Sequence, residues 1–446
     1  MSCEDCDSRV APAVCPYDSK HIVRRDRYTR HMRTCPSRPE AHPCFGHAFL
    51  CPGCNSVASH SQLALEDAPF SEVELSTLSK TPHLFQAFER IVSSAFQRHK
   101  DNPLISMYDA VSCSPPISFL SMKEFRGIST WTLGEKHGKQ CSSIIQNLFN
   151  EEILFPTALD ADNALGSSVF TTIIEAGSGT GLLSAALALV NPDEENRSRI
   201  ASLTPTKKVV PTEKVPFKLS KLHRRAIYLV ERERGYQSKY DRYIRASGEP
   251  CYRLPIDLRD FQLAFLQADP IYGIHPLIET YLQENCDNGV LMSPDSLPAN
   301  THHIVSIIGK HLCGGATDVT LRMAVANVCV HSIGIALCCH AKSDGSEYCN
   351  PSFLFDLGMD CDTIRLMHRA VSWSLAFIYQ SELSDIQCRQ VCIGQQCRAL
   401  LDLGRLLYLR SHGFQVKILR YAPIELTPEC YLLCAHRSNS LNKEQK

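Results

Sequence analysis

An acidic residue followed by alternating glycines is the clearest chemical signature in the sequence. The run Thr172–Gly181 begins with apolar residues, reaches Glu175 and then contains three glycines: Gly177, Gly179 and Gly181. Only glycine lets a backbone turn this tightly and approach a ligand this closely. The run that follows is expected to be a helix, and the free N–H groups at its start favour polar or anionic atoms. These residues therefore predict a binding site for an adenosine-bearing cofactor.

The order of the glycines separates this loop from the dinucleotide-binding fingerprint. That fingerprint reads G-x-G-x-x-G, whereas the present sequence reads E-x-G-x-G-x-G from Glu175 to Gly181. This variant is typical of S-adenosylmethionine-dependent methyltransferases, in which the donor carries no pyrophosphate and the loop cradles its methionine end. A glycine-rich turn without a ligand is the alternative interpretation.

Acidic residues also end the next two predicted strands. Glu231 ends the apolar run Ala226–Glu231 and could accept hydrogen bonds from both ribose hydroxyls of the cofactor. It lies about thirty residues beyond the usual ~20-residue spacing, which fits a polar insertion of 191–222. Asp257, at the end of the predicted strand Arg253–Asp257, completes the predicted cofactor-binding set. A solvated strand-end carboxylate is the alternative for Glu231.

Four polar residues follow two other predicted strands: Lys310, His311, Asp318 and His340. The first three come after His303–Gly309, and the last comes after Ile333–Cys338. A cation, imidazoles and a carboxylate could orient and deprotonate an attacking hydroxyl. Taken alone, each histidine is better explained by a structural role. Their convergence at the carboxyl ends of parallel strands favours catalysis, because ligands bind there in such sheets.

Two cysteines and two histidines near the start of the chain have the spacing of a metal site: Cys15, His21, His31 and Cys35. Two thiolates and two imidazoles suit a closed tetrahedral zinc site. So short a segment buries too little apolar surface to fold without a metal. The alternative is a set of scattered thiols in an unstructured arm. The sequence therefore predicts an N-terminal zinc finger.

A second group of candidate ligands is less well formed: Cys44, His47, Cys51 and Cys54. Four ligands in so short a span leave little chain to wrap around a metal. Either this group binds zinc alone, or Cys51 and Cys54 join Cys3 and Cys6 around one ion. The sequence leaves both arrangements open.

The first finger is also basic, with Lys20, Arg24, Arg25, Arg27, Arg30, Arg33 and Arg38 around its ligands. Clustered arginines are typical of surfaces that contact the phosphates of nucleic acids. A solvated helix face is the alternative. Further lysines and arginines in 207–225 are interpreted as a surface loop, with a second nucleic-acid contact as the alternative.

The elements that must position these residues alternate between strand and helix from about Thr132 onward. The predicted strands are Phe170–Glu175, Ala226–Glu231, Arg253–Asp257, His303–Gly309, Ile333–Cys338, Val416–Tyr421 and Cys430–Ala435. This alternation predicts an α/β fold: a Rossmann-like methyltransferase domain with a mostly parallel sheet covered by helices. We expect a zinc finger module at 1–60, a helical linker at 61–130 and the methyltransferase domain at 131–446.

Composition agrees with an enzyme that works in a reducing compartment. The 446 residues suffice for about two or three domains. The net charge of −1 means that attraction to nucleic acid must come from local patches. No apolar run approaches the ~20 residues that cross a bilayer, and no secretory signal is visible. Without export, 22 cysteines argue for metal-bound or buried thiols. Nothing indicates an obligate protein partner.

Four blocks occur in a specific combination and order: Cys15-Pro16-Tyr17-Asp18 with the other finger ligands, Lys136-His137-x-x-Gln140, Lys310-His311-Leu312-Cys313-Gly314, and Ala336-Leu337-Cys338-Cys339-His340. With Ser372-Trp373 and Gly404-Arg405 behind them, the sequence resembles the eukaryotic tRNA 2′-O-methyltransferases that modify nucleotide four of the acceptor stem. The resemblance covers the finger and most of Thr132–His436. It implies methyl transfer from S-adenosylmethionine to a tRNA ribose, and a cytoplasmic or nuclear location.

Three features depart from that family. Only Cys3 and Cys6 stand where the family carries a three-cysteine, one-histidine finger. The basic insertion before Glu231 is not a family feature, and Cys430 replaces the more usual asparagine, although a thiol is a weak hydrogen-bonding group. Two other functions are also considered: a methyltransferase acting on another RNA or a protein, and a non-catalytic RNA-binding protein.

Overall fold

The computed structural model describes residues 12–15, 21–24, 27–28, 30–31, 35, 50–56, 70, 73–106, 135–154, 168–188, 223–233, 240–247, 249, 251–263, 301–378, 380 and 382–437. Cys3, Cys6, Cys44, His47 and the basic insertion therefore lie outside the described residues.

The strands are β1 (Pro12–Val14), β2 (Ile22–Arg24), β3 (Ser168–Ala176), β4 (His223–Val230), β5 (Cys251–Leu254), β6 (Thr301–Gly309), β7 (Val330–Leu337), β8 (Phe414–Arg420) and β9 (Tyr431–Arg437). The first two form a small antiparallel sheet with Ala13 opposite Val23. The other seven form one sheet in the order β5-β4-β3-β6-β7-β9-β8. All seven predicted strands are confirmed, with boundaries shifted by at most three residues.

The helices are α1 (Leu75–Lys80), α2 (Pro82–His99), α3 (Pro103–Ser106), α4 (Glu135–Asn150), α5 (Leu182–Ala188), α6 (Asp241–Ala246), α7 (Ala316–Ala326), α8 (Pro351–Asp356), α9 (Cys361–Ala370), α10 (Trp373–Ala376) and α11 (Asp385–Ser411). A short 3₁₀ helix covers His340–Lys342. The longest helix, α11, begins with a capping box formed by Ser384 and Gln387. None of the described helices is long and apolar enough to cross a membrane.

The order of the strands explains why one edge of the sheet can bind a ligand. Strands β3 to β7 run parallel to one another. Strand β9 runs in the opposite direction and pairs antiparallel with both β7 and β8. From β3 the chain first adds β4 and β5 on one side, and later adds β6 on the other side. The crevice between β3 and β6 is therefore a topological switch point, where ligands bind beyond the carboxyl ends of the strands. The predicted α/β class with a mostly parallel sheet is confirmed.

Successive residues of the central strands point to opposite faces of the sheet. Ile174 and Ile307 pack in one apolar cluster, whereas their neighbours Ile173 and Ile308 pack in another. The first cluster includes residues of α7 and α11, and the second includes residues of α4 and α5. A period of two is what strands buried on both faces produce. The sheet is therefore the middle layer of three.

A third apolar cluster joins the middle of the chain to α11. Phe85 and Phe88 of α2 contact Trp373, with ring centroids 5.8 and 6.5 Å apart. The same cluster extends to α9 and α11. The described helices of the segment predicted as a helical linker therefore pack onto the region predicted as the methyltransferase domain. The division into three domains remains a prediction.

Candidate active site

The glycine loop follows β3 and turns back in a conformation that favours glycine. The φ angles of Gly177, Gly179 and Gly181 are 59, 51 and 79°, all in the left-handed region. A side chain added at Gly179 would meet no described atom within 4 Å, whereas one at Gly181 would lie 3.1 Å from Arg253. The space beside Gly179 therefore suits a ligand that approaches the backbone closely, and Gly181 serves local packing.

The partly buried guanidinium of Arg253 holds the outer turn of this loop. Arg253, on β5, donates to the carbonyl of Gly179 at 2.8 Å and to the hydroxyl of Ser178 at 3.3 Å. Its other nitrogens donate to both carboxylate oxygens of Asp241, at 2.9 and 2.8 Å. Asp241 is fully buried. Bidentate pairing fixes the plane of the guanidinium, so this pair sets the position of the loop. Sequence reasoning did not identify either residue.

The three predicted acidic residues have different environments. Glu175 is buried and accepts from the backbone N–H of Ser184 in α5 at 3.0 Å. Burial raises its pKa to about 7. Glu231 is half-buried and accepts from the N–H of Gly179 at 2.8 Å. Asp257 lies three residues beyond β5, where Arg232 and Arg259 pair with it at 3.5 and 3.4 Å.

The glycine loop touches the segment that follows β6. A Cβ at Gly177 would lie 2.9 Å from the Leu312 side chain and 3.3 Å from the carbonyl of His311. Strands β3 and β6 are adjacent and parallel, with Glu175 opposite Ile308. The predicted cofactor loop and the predicted catalytic segment therefore share one rim, as expected at the switch point.

Lys310 and His311 lie at this rim together with a histidine from α4. The ammonium nitrogen of Lys310 lies 3.4 Å from Nδ1 of His137 and 3.6 Å from the sulfur of Cys141. The rings of His137 and His311 meet edge to face, 6.4 Å apart. His137 belongs to the Lys136–Gln140 block, but it was not predicted as a site residue. The signal was present, since the block carries an imidazole in the first turn of a helix.

The surroundings of both imidazoles favour their neutral forms. The ring of His311 is exposed at the rim, but enough protein surrounds it to disfavour its charged form. That partial burial, with the nearby Lys310 charge, lowers the pKa of His311 to about 4. The same two causes lower the pKa of His137. A neutral imidazole can accept a hydrogen bond or a proton from a hydroxyl.

Asp318 lies behind the rim, in the core. Its carboxylate is fully buried and accepts two hydrogen bonds from Arg405, at 3.0 and 2.6 Å. It also accepts from the backbone N–H of Cys349 at 3.2 Å. Although burial opposes ionisation, the Arg405 guanidinium holds the pKa of Asp318 below its usual value. Asp318 was predicted beside Lys310 and His311, but the structure does not bring it to the open rim.

His340 continues the same buried network. Its Nε2 lies 2.8 Å from a carboxylate oxygen of Asp402, to which Arg405 also donates at 2.8 Å. Only 2% of His340 is exposed. The carbonyl of His340 lies 3.3 Å from Nδ1 of His368. The network ties α11 to the ends of β6 and β7, and sequence reasoning did not predict its arginine or Asp402.

The four predicted finger ligands come together near β1 and β2. One ligand atom from each of Cys15, His21, His31 and Cys35 lies within 4.8 Å of the others. The two sulfurs are 3.7 Å apart, close to the separation of two thiolates on a tetrahedral zinc ion with Zn–S bonds of about 2.3 Å. Nε2 of His31 is buried and has no hydrogen-bond partner among the described residues. The donor set and its spacing fit a zinc ion.

Of the second predicted ligand group, the structure describes only Cys51 and Cys54. They lie in one turn, in which the N–H of Cys54 donates to the carbonyl of Cys51 at 3.1 Å. Burial and the neighbouring Cys51 raise the pKa of Cys54 to about 12. The amide of Asn55 donates to the carbonyls of Leu258 and Phe261 at 2.7 and 2.8 Å. This turn therefore packs against the segment after β5, and its metal binding remains a prediction.

Comparisons with known proteins agree with this geometry. The family described as methyltransferase TRM13 matches residues 291–436, which include the rim after β6 and β7. The tRNA:m(4)X modification enzyme TRM13 of Yarrowia lipolytica is 30% identical over 163 residues, which cover 29% of this chain and 35% of that protein. Residues 291–436 of this chain are therefore similar to the TRM13 methyltransferase family.

Two longer relatives extend the similarity across the whole chain. The tRNA:m(4)X modification enzyme TRM13 homolog of Mus musculus is 22% identical over 511 residues, covering 97% of this chain and 88% of that protein. The homolog of Homo sapiens is 22% identical over 521 residues, covering 99% and 89%. No solved structure matches the chain significantly.

A second family match concerns the N-terminal cluster. The U11-48K-like CHHC zinc finger matches residues 13–36, which contain the four clustered ligands. The match implies that this segment binds zinc. The match of residues 291–436 to a methyltransferase family likewise implies S-adenosylmethionine as the donor. Both agree with the predictions made from residue spacing.

Proposed function

We propose that this chain transfers the methyl group of S-adenosylmethionine to a ribose 2′-hydroxyl of tRNA, at the fourth nucleotide of the acceptor stem. The named relatives are tRNA-modifying enzymes, and the sequence blocks resemble those of enzymes that modify this nucleotide. A-form RNA displays its 2′-hydroxyls in a shallow minor groove, so an enzyme can reach one by shape and phosphate contacts.

One observation carries the proposal. The loop after β3, whose Gly179 borders open space, contacts the segment after β6 that bears Lys310 and His311. A donor held by the loop would therefore place its methyl group near a cation and a neutral imidazole. Methyl transfer needs alignment of the hydroxyl with the donor and the removal of one proton. The rim offers groups for both tasks.

The donor would be bound by residues of three strand ends. Gly179 would border the donor, while Gly177 and Gly181 give the loop its turn and its close packing, and Glu175 anchors the following helix. Glu231, which accepts from the N–H of Gly179 in this structure, would accept hydrogen bonds from the ribose hydroxyls of the donor. Asp257, just after the next strand, would lie near the adenine of the donor. Hydrogen bonds to a carboxylate are stronger than those between neutral groups, so Glu231 should contribute most to affinity.

The acceptor would be handled by Lys310 and His311, with His137 beside them. Lys310 would orient the ribose hydroxyl, and His311 would accept its proton and pass it to solvent. Bound S-adenosylmethionine would supply the methyl group for the new O–C bond and would be released as S-adenosylhomocysteine. Asp318 and His340, which were candidates for the same chemistry, would act as positioning residues through the buried network.

The N-terminal finger would hold one zinc ion through Cys15, His21, His31 and Cys35, and its basic surface would contact tRNA phosphates. Arg27 and Arg30 are exposed beside the ligands. Such contacts position a nucleic acid without reading its bases. We place the protein in the cytoplasm or the nucleus, where tRNA is modified.

The direct test is incubation of the protein with labelled S-adenosylmethionine and total tRNA, followed by nuclease mapping of the labelled ribose. We expect label at nucleotide four, in a phosphodiester bond that resists alkali because its 2′-hydroxyl is methylated. Label on protein, or on another RNA position, would favour a different acceptor. Tight tRNA binding with no label and no donor binding would indicate a non-catalytic RNA-binding protein.

A glycine variant tests the donor site separately. Gly179→Val should abolish donor binding in calorimetry, because its side chain would fill the space beside the loop. Gly413→Val is the matched control, since Gly413 also has a positive φ, 84°, and open space around it. Both variants carry the same backbone strain, so equal donor affinity in the two would place the donor elsewhere.

A further inference from the structure

Three cysteines meet at the carboxyl ends of two neighbouring strands. Cys313 follows β6, and Cys338 and Cys339 follow β7. The strands are parallel and adjacent, with Gly309 opposite Ile335, so the loops after them leave the sheet side by side. The three sulfur atoms all lie within 4.8 Å of one another. Cys313 is exposed, and the other two are half-buried.

Apolar packing does not account for this cluster. A free cysteine that serves packing lies in a core, as Cys141, Cys397 and Cys434 do. The three clustered cysteines instead are exposed or half-buried and lie outside the three apolar clusters of the fold, and the sulfur of Cys338 donates to the carbonyl of Lys310 at 3.6 Å. Thiols are weak hydrogen-bonding groups and gain little from one another as neutral S–H groups. A ligand that binds sulfur explains their convergence better than packing.

The backbone of one member adopts a conformation that residues with a side chain rarely choose. Cys339 has a φ of 55°, in the left-handed region that is unfavourable for a residue other than glycine. Its N–H faces a carboxylate oxygen of Glu429 at 3.3 Å. In an extended strand, successive side chains point to opposite sides. The turn at Cys339 departs from that geometry, and the thiols of Cys338 and Cys339 both lie near Cys313.

We propose that Cys313, Cys338 and Cys339 bind one thiophilic divalent metal ion, zinc in the first instance, with a fourth coordination position open to solvent. Sulfurs on a tetrahedral zinc ion lie about 3.8 Å apart, given Zn–S bonds of about 2.3 Å. The observed cluster therefore needs a contraction of about 1 Å or less, within the reach of a rotation of each side chain. The exposure of Cys313 leaves room for a water or substrate atom as the fourth ligand.

The charges around the cluster suit this ion. Three thiolates and a divalent cation have a net charge of −1, and the ammonium of Lys342 lies near enough to act on Cys313 and Cys339. Binding would release the thiol protons to solvent. The ion would clamp together the loops after β6 and β7, and the first of these carries Lys310 and His311. This site is separate from the finger ion and does not depend on the identity of the methyl acceptor.

The test is the zinc content per chain of full-length protein purified under reducing conditions, measured by mass spectrometry of the metal. Cys339→Gly is the informative variant, because glycine accepts the φ of 55° and the backbone is not strained by the change. We expect it to carry one zinc fewer than the parent. Cys361→Ser, at an exposed cysteine outside both clusters, should match the parent. Cys35→Ser should lose a different ion, so the double variant should lose two.

Cobalt substitution gives a second readout. The parent should show sulfur-to-cobalt charge-transfer absorption that weakens in Cys339→Gly and in Cys313→Ser but not in Cys361→Ser. Circular dichroism and donor binding report whether each variant is folded. Equal zinc content and equal cobalt spectra in folded parent and Cys339→Gly would overturn the proposal. A disulfide among the three cysteines in freshly purified parent would overturn it as well.

Discussion

The two ends of the segment Lys310–Asp318 lie in different environments, although both come from one sequence block. His311 is exposed at the rim shared with the glycine loop, whereas Lys310 beside it is buried, with its ammonium nitrogen against His137. Asp318, in the first turn of α7, is fully buried and paired with Arg405. The first end keeps the imidazole of His311 available to a ligand, with the charge of Lys310 directly behind it. The second end uses its charge inside the protein.

This difference separates residues that can act on a substrate from residues that stabilise the fold. A buried carboxylate that accepts two hydrogen bonds from an arginine has little capacity left for a substrate. Asp402 is paired in the same way, with Arg405 and with Nε2 of His340. A charge in such a network is costly to leave without its partner. We therefore expect changes at the rim to reduce turnover and changes in the network to reduce stability.

The largest expected effect is at the rim. His311→Ala and Lys310→Met should each lower turnover on tRNA by about 10²–10⁴-fold, the range for a lost general base or orienting group. Melting temperature, donor affinity and tRNA affinity should stay near parental values. The measurement is single-turnover methylation at saturating donor and tRNA.

Lys417→Met, at an exposed lysine that pairs with Glu151 on the far part of the sheet, is the control for loss of one positive charge. It should methylate at the parental rate. Parental turnover in both rim variants would move the chemistry away from this rim.

The next effect is on stability. Arg405→Ala should lower the free energy of unfolding by about 3–5 kcal/mol, because Asp318 and Asp402 would remain buried without their cation. Denaturant unfolding followed by circular dichroism measures the change. Arg405→Lys should also destabilise the protein, since lysine cannot reproduce the fork that meets both carboxylates.

Arg389→Ala is the matched control on the same helix, where the arginine pairs with Glu89 near the surface. Exposed pairs contribute about 0–1 kcal/mol. If Arg405→Ala cost no more than Arg389→Ala, the buried network would not be what holds α11 to the strand ends.

The pH dependence of stability tests another member of the network. Burial and the Arg405 charge lower the pKa of His368 to about 3. The unfolded chain binds this proton near pH 6.5, so below that pH the unfolded state binds more protons and is favoured. One histidine of this kind costs about 2 kcal/mol between pH 6.5 and pH 5.

The parental slope alone is not diagnostic, because Glu175 acts in the opposite direction. Its raised pKa of about 7 makes the folded state bind the proton first, which favours folding as the pH falls from 7 toward 4.5. We therefore compare the parent with His368→Asn. The stability of the variant relative to the parent should rise by about 2 kcal/mol from pH 6.5 to pH 5. His412→Asn, at an exposed histidine, should show no such relative change.

Local signals were enough to predict the parts of the site that are continuous in sequence. The Glu175–Gly181 loop, the strand that precedes it and the finger ligands each carry their spacing within a short segment. Apolar runs were enough to predict the seven strands. They do not show where the hydrogen bonds between neighbouring strands end. Strand ends therefore shifted, as at β5, which ends at Leu254 rather than Asp257.

Pairings between distant residues could not be predicted in the same way. Asp318 reads as a polar residue at a strand end until Arg405, 87 residues later, is seen to bury against it. His137 and Lys310 are 173 residues apart. Nothing in their local sequence gives the packing of α4 on the sheet that joins them. Which polar groups stay open and which are paired depends on that tertiary packing.

The smallest predicted effect concerns the guanidinium of Arg253 at the glycine loop. This group belongs neither to the open rim nor to the buried network around Arg405. Arg253 is partly buried and bonds both to the loop and to Asp241. Arg253→Lys keeps the charge but loses the fork, so the carbonyl of Gly179 would be held less firmly. We expect donor affinity in calorimetry to fall about tenfold, which corresponds to about 1.4 kcal/mol.

Asp241→Asn should weaken donor binding to a similar degree, because it releases the guanidinium that Asp241 orients. If the two residues act as one unit, the double variant should lose little more than either single variant, and the double-mutant cycle should show a coupling of about 1 kcal/mol. Arg389→Lys should leave donor affinity unchanged. Additive losses would mean that Asp241 and Arg253 support the loop independently. Parental affinity in Arg253→Lys would mean that the glycine backbone alone sets the donor site, and that the rim is positioned without help from β5.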